Sequence, residues 1–149
     1  MPAAGSHAVT TKRVRRVGID LGTTFSSLAV LDRHGNPVSV PNAAGELATP
    51  SAVLFEPGGN VVVGTEAARR AVSDSDRVVQ HAKRFLSEDD KKWAIDGRKV
   101  TPTETSALIL RDLLRSANAR FGALEEAVVT VPVQFGDAER RRTVVAAKS

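Results

Sequence analysis

The stretch VGIDLGTTFSSLAVLD, residues 17–32, constrains the fold more than any other part of this sequence. Two apolar runs flank a short polar turn, and this pattern is typical of two strands joined by a hairpin. Gly22 alone would allow a tight bend, because it has no side chain. The turn also carries Asp20 before the glycine and Thr23 and Thr24 directly after it, so its chemistry needs a separate explanation.

Phosphate binding is one explanation for these polar residues. Successive backbone N–H groups in a tight turn form an anion-binding concavity, and the hydroxyls of Thr23 and Thr24 add donors. Asp20 would repel phosphate directly, but it can hold Mg²⁺ through water. The alternative is structural, since Asp and Thr side chains also bond the local backbone in ordinary turns. There is no G-x-x-x-x-G-K-[ST] motif, so the turn is not a P-loop.

Residues 14–64 are predicted to form short strands joined by turns. Residues 14–20, 26–32 and 38–40 have strand patterns and are expected to form an antiparallel meander. A second hairpin is predicted over residues 51–64, with residues 57–60 (Pro-Gly-Gly-Asn) at its turn.

A less regular stretch follows this hairpin. A short helix is predicted at residues 65–72, with Thr65 as its cap. Residues 78–86 are amphipathic and fit either a helix or a strand. Residues 87–99 are polar and are predicted to form a loop anchored by Trp93.

The clearest helix of the sequence begins at TPTE. Thr101 can cap it, Pro102 occupies its first position, and Glu104 completes a capping box. Apolar residues then follow at helical spacing until Gly122, which supplies a stop signal.

Two elements are predicted after this helix. Residues 126–133 are expected to form a buried strand, and Asp137 can cap a last helix that runs to Ser149. No stop signal follows, so we expect the fold to be truncated at this end and the chain to belong to a longer protein.

The net charge is concentrated at the beginning of the chain. The formal charge of +4 is accounted for by Lys12, Arg13, Arg15 and Arg16, and the remaining basic and acidic residues are equal in number. No aromatic stripe accompanies these basic residues, so we expect no nucleic-acid partner. Residues 1–13 are predicted to be a disordered basic leader.

Composition also narrows the class of protein. Apolar residues make up 42% and charged residues 26% of the 149 residues, which fits one globular domain or part of a larger one. The absence of cysteine excludes disulfides and thiolate metal sites and fits a reducing compartment. No apolar run approaches the roughly 20 residues that span a bilayer. We therefore expect a cytoplasmic location and no membrane partner.

Several motifs resemble one protein superfamily. GIDLGTT, entering a strand, resembles the first phosphate-binding hairpin of the actin-like ATPases, which include sugar kinases, actin and the DnaK-type seventy-kilodalton heat-shock chaperones. Three later stretches are similar to the chaperones in particular: TPSAVLF with VVVGTEAARRA, then HAKRFL, then AVVTVPVQFGDAERRRT. The similarity covers residues 16–149 almost completely, in the order of the family.

The resemblance implies roles for individual residues. The residue matching Asp20 organises Mg²⁺ and its waters in the family, and Lys83 matches the lysine that reaches the γ-phosphate and the attacking water. The implied contacts to the nucleotide are Gly22, Thr23, Thr24 and Phe25. Without the resemblance, Lys83 would be interpreted as a solvated lysine.

Pro132 and Arg140 match positions that relay the nucleotide state to a neighbouring domain. Each also has a structural interpretation from the residues alone. Pro132 can end a strand, and Arg140 lies in an Arg-Arg-Arg run that could be a solvated face.

The resemblance also implies the fold and the activity. We expect an α/β actin-like ATPase lobe, with a ribonuclease-H-like core at residues 14–47 and 101–149 and a smaller inserted subdomain at 48–100. ATP or ADP with Mg²⁺ would be the cofactor. Hydrolysis would drive binding and release of unfolded polypeptide clients during the stress response, with a J-domain co-chaperone and a nucleotide-exchange factor as partners. This lobe alone is expected to be inactive.

Two alternatives remain open at this point. The segment between Lys83 and Thr101 is shorter than in ordinary family members, and Gln134 and Gly136 depart from the usual pattern. A divergent chaperone-like scaffold with weak or no ATPase activity would fit these departures. A small-molecule kinase of the same superfamily is the other alternative, and AKRFL and VTVPVQF argue against it.

Overall fold

The computed structural model describes residues 16–148. The predicted disordered leader, residues 1–13, lies outside the described residues. Within them the chain forms three sheets and three α-helices, so the predicted α/β class is confirmed and agrees with a lobe of the actin-like ATPase fold.

The elements follow one another along the chain with short connections. The strands are β1 Arg16–Asp20, β2 Phe25–Leu31, β3 Pro37–Val40, β4 Thr49–Pro50, β5 Ala52–Phe55, β6 Val61–Val63, β7 Val78–Gln80, β8 Trp93–Ile95, β9 Arg98–Val100 and β10 Glu126–Thr130. The helices are α1 Thr65–Arg69, α2 Pro102–Phe121 and α3 Asp137–Lys148. A 3₁₀ turn, Ala82–Phe85, follows β7 and is called the lysine turn below because it carries Lys83.

The largest sheet positions the polar turn described above. Its strand order is β10-β1-β2-β3, and β4 pairs with the beginning of β2. The predicted meander is confirmed, since β1, β2 and β3 pair antiparallel. Strand β10 joins the other edge of β1 in parallel. A parallel neighbour requires a crossover connection, and the connection to β10 contains the 20-residue helix α2.

The two smaller sheets confirm one prediction and correct another. Strand β5 pairs antiparallel with both β6 and β7, and residues 57–60 turn between β5 and β6 as predicted. The loop predicted at residues 87–99 is wrong, because β8 and β9 pair there as a hairpin. Asp96 and Gly97 take φ values of 51° and 75° at its turn. Aspartate and glycine favour this left-handed geometry in two-residue hairpins.

The helix predicted at residues 65–72 is shorter and is capped differently. Helix α1 ends at Arg69, and its N-cap is Gly64 with φ 95°, so the prediction that Thr65 caps the helix is wrong. The Thr65 hydroxyl instead donates to Glu46 Oε2 at 2.7 Å. The ambiguous residues 78–86 divide into strand β7 and the lysine turn.

The predicted ends of α2 are confirmed. The backbone N–H of Glu104 donates to Thr101 Oγ1 at 3.1 Å, a cap that typically stabilises a helix by about 1 kcal/mol. Pro102 occupies the first turn, and Gly122 ends the helix with φ 80°. The carboxylate of Glu104 pairs with Arg98, so its backbone N–H, and not its side chain, makes the observed capping contact.

The strand predicted at residues 126–133 is neither as long nor as buried as expected. Strand β10 ends at Thr130, and only Val129 among its residues is partly buried. The reason is its edge position, since it pairs with β1 alone. The predicted last helix is confirmed as α3, but Asp137 is its first residue and not its cap, because the Arg140 N–H donates to the Gly136 carbonyl. Helix α3 buries Thr143 and Ala146.

One buried cluster spans most of the described chain. It joins Ile19 and Leu28 of the large sheet to Val53 of β5 and to Ile109 and Leu113 of α2. The division into a core at 14–47 and 101–149 with an insertion at 48–100 therefore stays a prediction. No helix within residues 16–148 is both long and apolar enough to cross a bilayer.

Candidate functional site

The turn between β1 and β2, residues 21–24, requires a glycine at its centre. A Cβ atom added to Gly22 would lie 1.8 Å from the carbonyl oxygen of Phe25, far inside van der Waals contact. Leu21 is buried beside it with 1% exposure. The backbone therefore folds back on itself here, which only a residue without a side chain permits.

Two buried serines hold this turn in place. The N–H of Gly22 donates to Ser26 Oγ at 3.2 Å, and Ser51 Oγ donates to the Gly22 carbonyl at 2.8 Å. The two hydroxyls are 2.9 Å apart, and the Ser51 N–H donates to the Thr24 carbonyl at 2.8 Å. The amide of Gly22 thus has an internal partner. Sequence reasoning missed both serines; the available signal was Ser26, two residues before Leu28 on the inward face of β2.

The threonines present donors at the surface of the turn. Thr23 is half-buried and Thr24 is exposed. Neither hydroxyl hydrogen-bonds to another residue in the range 16–148, so both could serve a ligand. Phe25 directly follows Thr24, is 55% exposed, and pairs with Pro50 across β2 and β4.

Asp20 lies at the carboxyl end of β1, next to the turn. Its side chain is exposed, and Oδ1 accepts a hydrogen bond from Thr130 Oγ1 at 2.8 Å. The parallel register of β1 and β10 places these two residues opposite each other. The second carboxylate oxygen, Oδ2, accepts no bond from the described residues. Sequence reasoning missed Thr130, because nothing local relates it to Asp20.

Lys83 reaches the same turn from a different element. The lysine turn follows His81, whose φ of 57° redirects the chain after β7. The Lys83 ammonium donates to the backbone carbonyl of Leu21. Burial lowers the pKa of Lys83, and the negative charge of Asp20 opposes that shift. The structure therefore brings Lys83 and Asp20 together, although 63 residues separate them in the sequence.

Pro132 and Arg140 are linked to this cluster through Phe135. In the loop between β10 and α3, residues 131–136, the Phe135 N–H donates to the Pro132 carbonyl at 3.1 Å. Arg140 Nε donates to the Phe135 carbonyl at 3.1 Å. The Phe135 ring lies 5.4 Å from Lys83 Nζ, within the range of cation–π attraction. Sequence reasoning did not single out Phe135.

The donor set fits Mg²⁺ held through water. Within residues 16–148 no three His, Cys, Asp or Glu side chains form a metal-binding group, so an all-protein cage is not offered there. Mg²⁺ commonly keeps several waters and uses one or two carboxylates together with phosphate oxygens. Asp20, with its second oxygen open at the surface, matches that requirement.

Two grooves of the described residues lie away from the β1–β2 turn. One of about 430 Å³ runs along α2 and is lined by Thr101, Glu104 and Leu108 among others. A second of about 270 Å³ follows the same helix toward Ala146. Neither contains a predicted site residue. The chemistry argues for the β1–β2 turn, because donors and opposite charges converge there.

The chain matches the model of a known protein family. A family model with the description "Hsp70 protein" matches the chain over residues 16–96 and 86–149. The two segments overlap and together cover well over half of the chain. They contain every residue of the site described above.

Proposed function

This chain belongs to the Hsp70 family, and we propose that it forms the part of a DnaK-type ATP-hydrolysing chaperone that holds the phosphates of Mg²⁺-ATP. One observation carries the proposal. A partly desolvated cation, Lys83, and an open carboxylate, Asp20, meet at a turn with unpartnered hydroxyls. A lysine with no role beyond solvation would keep its ammonium in water, whereas Lys83 is partly desolvated and donates to the Leu21 carbonyl.

Each residue has a role that follows from its chemistry. Thr23 and Thr24 would donate hydrogen bonds to phosphate oxygens. Gly22 has no side chain, so the phosphates could approach the backbone of the turn closely. Asp20 would hold the waters of Mg²⁺, which supplies charge neutralisation to the phosphates. Lys83 would stabilise the charge that develops on the transferred phosphoryl group and orient the attacking water. Phe25 would contact the nucleotide from the open surface.

The loop at residues 131–136 would communicate the nucleotide state to a neighbouring domain. Pro132 of this loop and Arg140 of α3 are both hydrogen-bonded to Phe135, whose ring lies beside Lys83. A shift of Lys83 on hydrolysis would therefore act on Phe135 and then on Arg140. The whole protein would couple this change to binding and release of unfolded polypeptide in the cytoplasm, with a J-domain co-chaperone and a nucleotide-exchange factor.

Asp20→Asn tests the metal assignment in the intact protein. Asparagine keeps an oxygen that can accept from Thr130, but it loses the charge that holds the metal waters. We expect the gain in nucleotide affinity on adding Mg²⁺ to fall roughly tenfold, with little change in affinity without the metal. Titration calorimetry with and without Mg²⁺ measures both. The exposed Asp76→Asn is the control, and an equal Mg²⁺ effect in all three proteins would remove Asp20 from the site.

The 149-residue chain by itself is expected to show no ATP hydrolysis above the buffer rate. Asp20, Thr24 and Phe25 are all exposed, so the described residues would contact the phosphates from one open side. Clamping and exclusion of water, which account for much of the rate enhancement in such reactions, would be missing. Hydrolysis and calorimetric binding should be measured beside the intact protein. Tight binding and turnover by the 149 residues would contradict this expectation.

A further inference from the structure

We infer that Arg142 of helix α3 is a positioning residue for Lys83, acting by holding the carboxyl end of the lysine turn. This inference rests on the proposed function, because it assigns Arg142 an effect on the step that Lys83 assists. Arg142 does not itself reach the polar turn. Its influence would pass through the backbone that carries Lys83.

Arg142 hydrogen-bonds to two groups just after the lysine turn. Its Nη1 donates to the carbonyl of Leu86, and its Nη2 donates to Asp89 Oδ1. The guanidinium presents its donors as a rigid fork, which suits simultaneous bonds of this kind. The Arg142 side chain is 26% exposed and that of Asp89 is 82% exposed. Exposed ion pairs contribute little, so the bond to the Leu86 carbonyl is the more important of the two.

The Leu86 carbonyl matters because Leu86 closes the lysine turn. The Leu86 N–H donates to the carbonyl of Lys83 at 3.3 Å, and its side chain is buried with 1% exposure. A 3₁₀ helix has poorer hydrogen-bond geometry than an α-helix, and its last carbonyls lack partners within the turn. Arg142 supplies the partner for one of them and so fixes where the turn ends.

A second contact holds the other side of the same segment. The Lys91 ammonium lies 4.6 Å from the ring centroid of Phe85 and 5.0 Å from that of Trp93. These two rings meet edge to face at 5.9 Å. The segment at residues 87–92 is therefore held by the contact of Lys91 with Phe85, in addition to the bond from Arg142 to Leu86. Because Arg142 takes no part in this aromatic contact, loss of Arg142 should displace the turn and not unfold it.

The three consecutive arginines of α3 differ in what they contact. Arg140 bonds to the Phe135 carbonyl, and Arg142 bonds to Leu86 and Asp89. Arg141 is exposed, and its side chain has no bond to another residue in the described range. Arg141→Ala is thus a matched control for Arg142→Ala, with the same change of charge on the same helix. The three arginines at residues 140–142 therefore do not form a uniformly solvated face, because only Arg141 makes no side-chain bond within the described range.

The test compares these variants in the intact protein. We expect Arg142→Ala to slow single-turnover ATP hydrolysis roughly tenfold while nucleotide affinity stays within about twofold, since small misplacement of a catalytic group lowers the rate more than binding. Arg141→Ala should match wild type, and Arg142→Lys should fall between. Equal rates for the two alanine variants would overturn the inference, as would a parallel loss of rate and affinity in Arg142→Ala.

A double mutant shows whether Arg142 acts through Lys83. Adding Arg142→Ala to Lys83→Ala should cause no further loss of rate, because coupled residues are not additive. A further tenfold loss would contradict the inference. If Lys83→Ala alone leaves hydrolysis unchanged, the proposed function fails and not the placement of the turn.

Amide hydrogen exchange without nucleotide then decides the placement independently. Residues 84–88 should exchange at least about tenfold faster in Arg142→Ala than in Arg141→Ala. Equal exchange would overturn the inference whatever the ATPase result. Should Arg142→Ala fail to fold, Arg142→Lys provides the same comparison with a milder change.

Discussion

Replacing Lys83 with alanine is expected to lower the rate of ATP hydrolysis by the intact protein about 100-fold or more, with nucleotide affinity within about twofold. The reason is that the proposed role of Lys83 is in the transition state and not in binding of the substrate. The charge of Lys83 would stabilise the transition state more than the bound substrate, and an interaction of that kind is lost from the rate and not from binding. Desolvation of the ammonium strengthens its field at the turn.

Single-turnover hydrolysis and nucleotide titration separate the two quantities. Arg84→Ala is the matched control, because Arg84 is an exposed cation on the same turn and makes no side-chain bond within residues 16–148. Unchanged hydrolysis in Lys83→Ala would remove Lys83 from the site and favour a chaperone-like scaffold. Loss of binding and hydrolysis together would instead assign Lys83 to ground-state binding.

Gly22→Ala is expected to lower the free energy of unfolding by about 3 kcal/mol or more. The added Cβ would lie 1.8 Å from the Phe25 carbonyl oxygen, so the backbone of the turn has to move. That movement would also break the bonds of Gly22 to Ser26 and Ser51, two groups whose buried hydroxyls have few other partners. Phosphate contacts by Thr23 should be lost at the same time.

Gly18→Ala provides the comparison for this prediction. Gly18 lies in β1, four residues before Gly22, and a Cβ there would meet the Ala29 carbonyl at 3.8 Å, an ordinary contact. Its stability should stay within about 0.5 kcal/mol of wild type. Urea unfolding of the two variants measures the difference. Similar stabilities for both variants would show that the turn can relax around an added side chain. The close approach at Gly22 would then not determine the stability of the protein.

Local chemistry explains which elements could be predicted from the sequence. The β1–β2 hairpin, the turn at residues 57–60 and the ends of α2 each depend on residues close together in the chain. Thr101 and Gly122, for example, act on backbone groups of their own helix. The aspartate and glycine of the β8–β9 turn were an equally local signal. They did not suffice for a prediction, because the strands that flank them are only three residues long and β9 begins with Arg98 and Lys99.

Contacts between distant segments account for what could not be predicted. Thr130 meets Asp20 only because β10 docks beside β1, and Ser51 meets the β1–β2 turn only because β4 pairs with β2. Strand β10 has an apolar sequence, yet it is exposed because it occupies a sheet edge. Resemblance could suggest Lys83, but its contacts with the Leu21 carbonyl and Phe135 depend on the path of the chain after β7.

The parallel pairing of β1 with β10 also has a consequence for synthesis on the ribosome. The Asp20 carboxylate and its Thr130 partner are 110 residues apart, so at about 5–20 residues per second the second residue emerges on the order of 5–20 s after the first. The β1–β3 meander can form from local contacts in far less time, since hairpins form in about 1–10 μs. During that interval β1 is an open strand edge, able to pair with other chains. A nascent member of this chaperone family thus exposes the kind of surface from which chaperones protect other proteins.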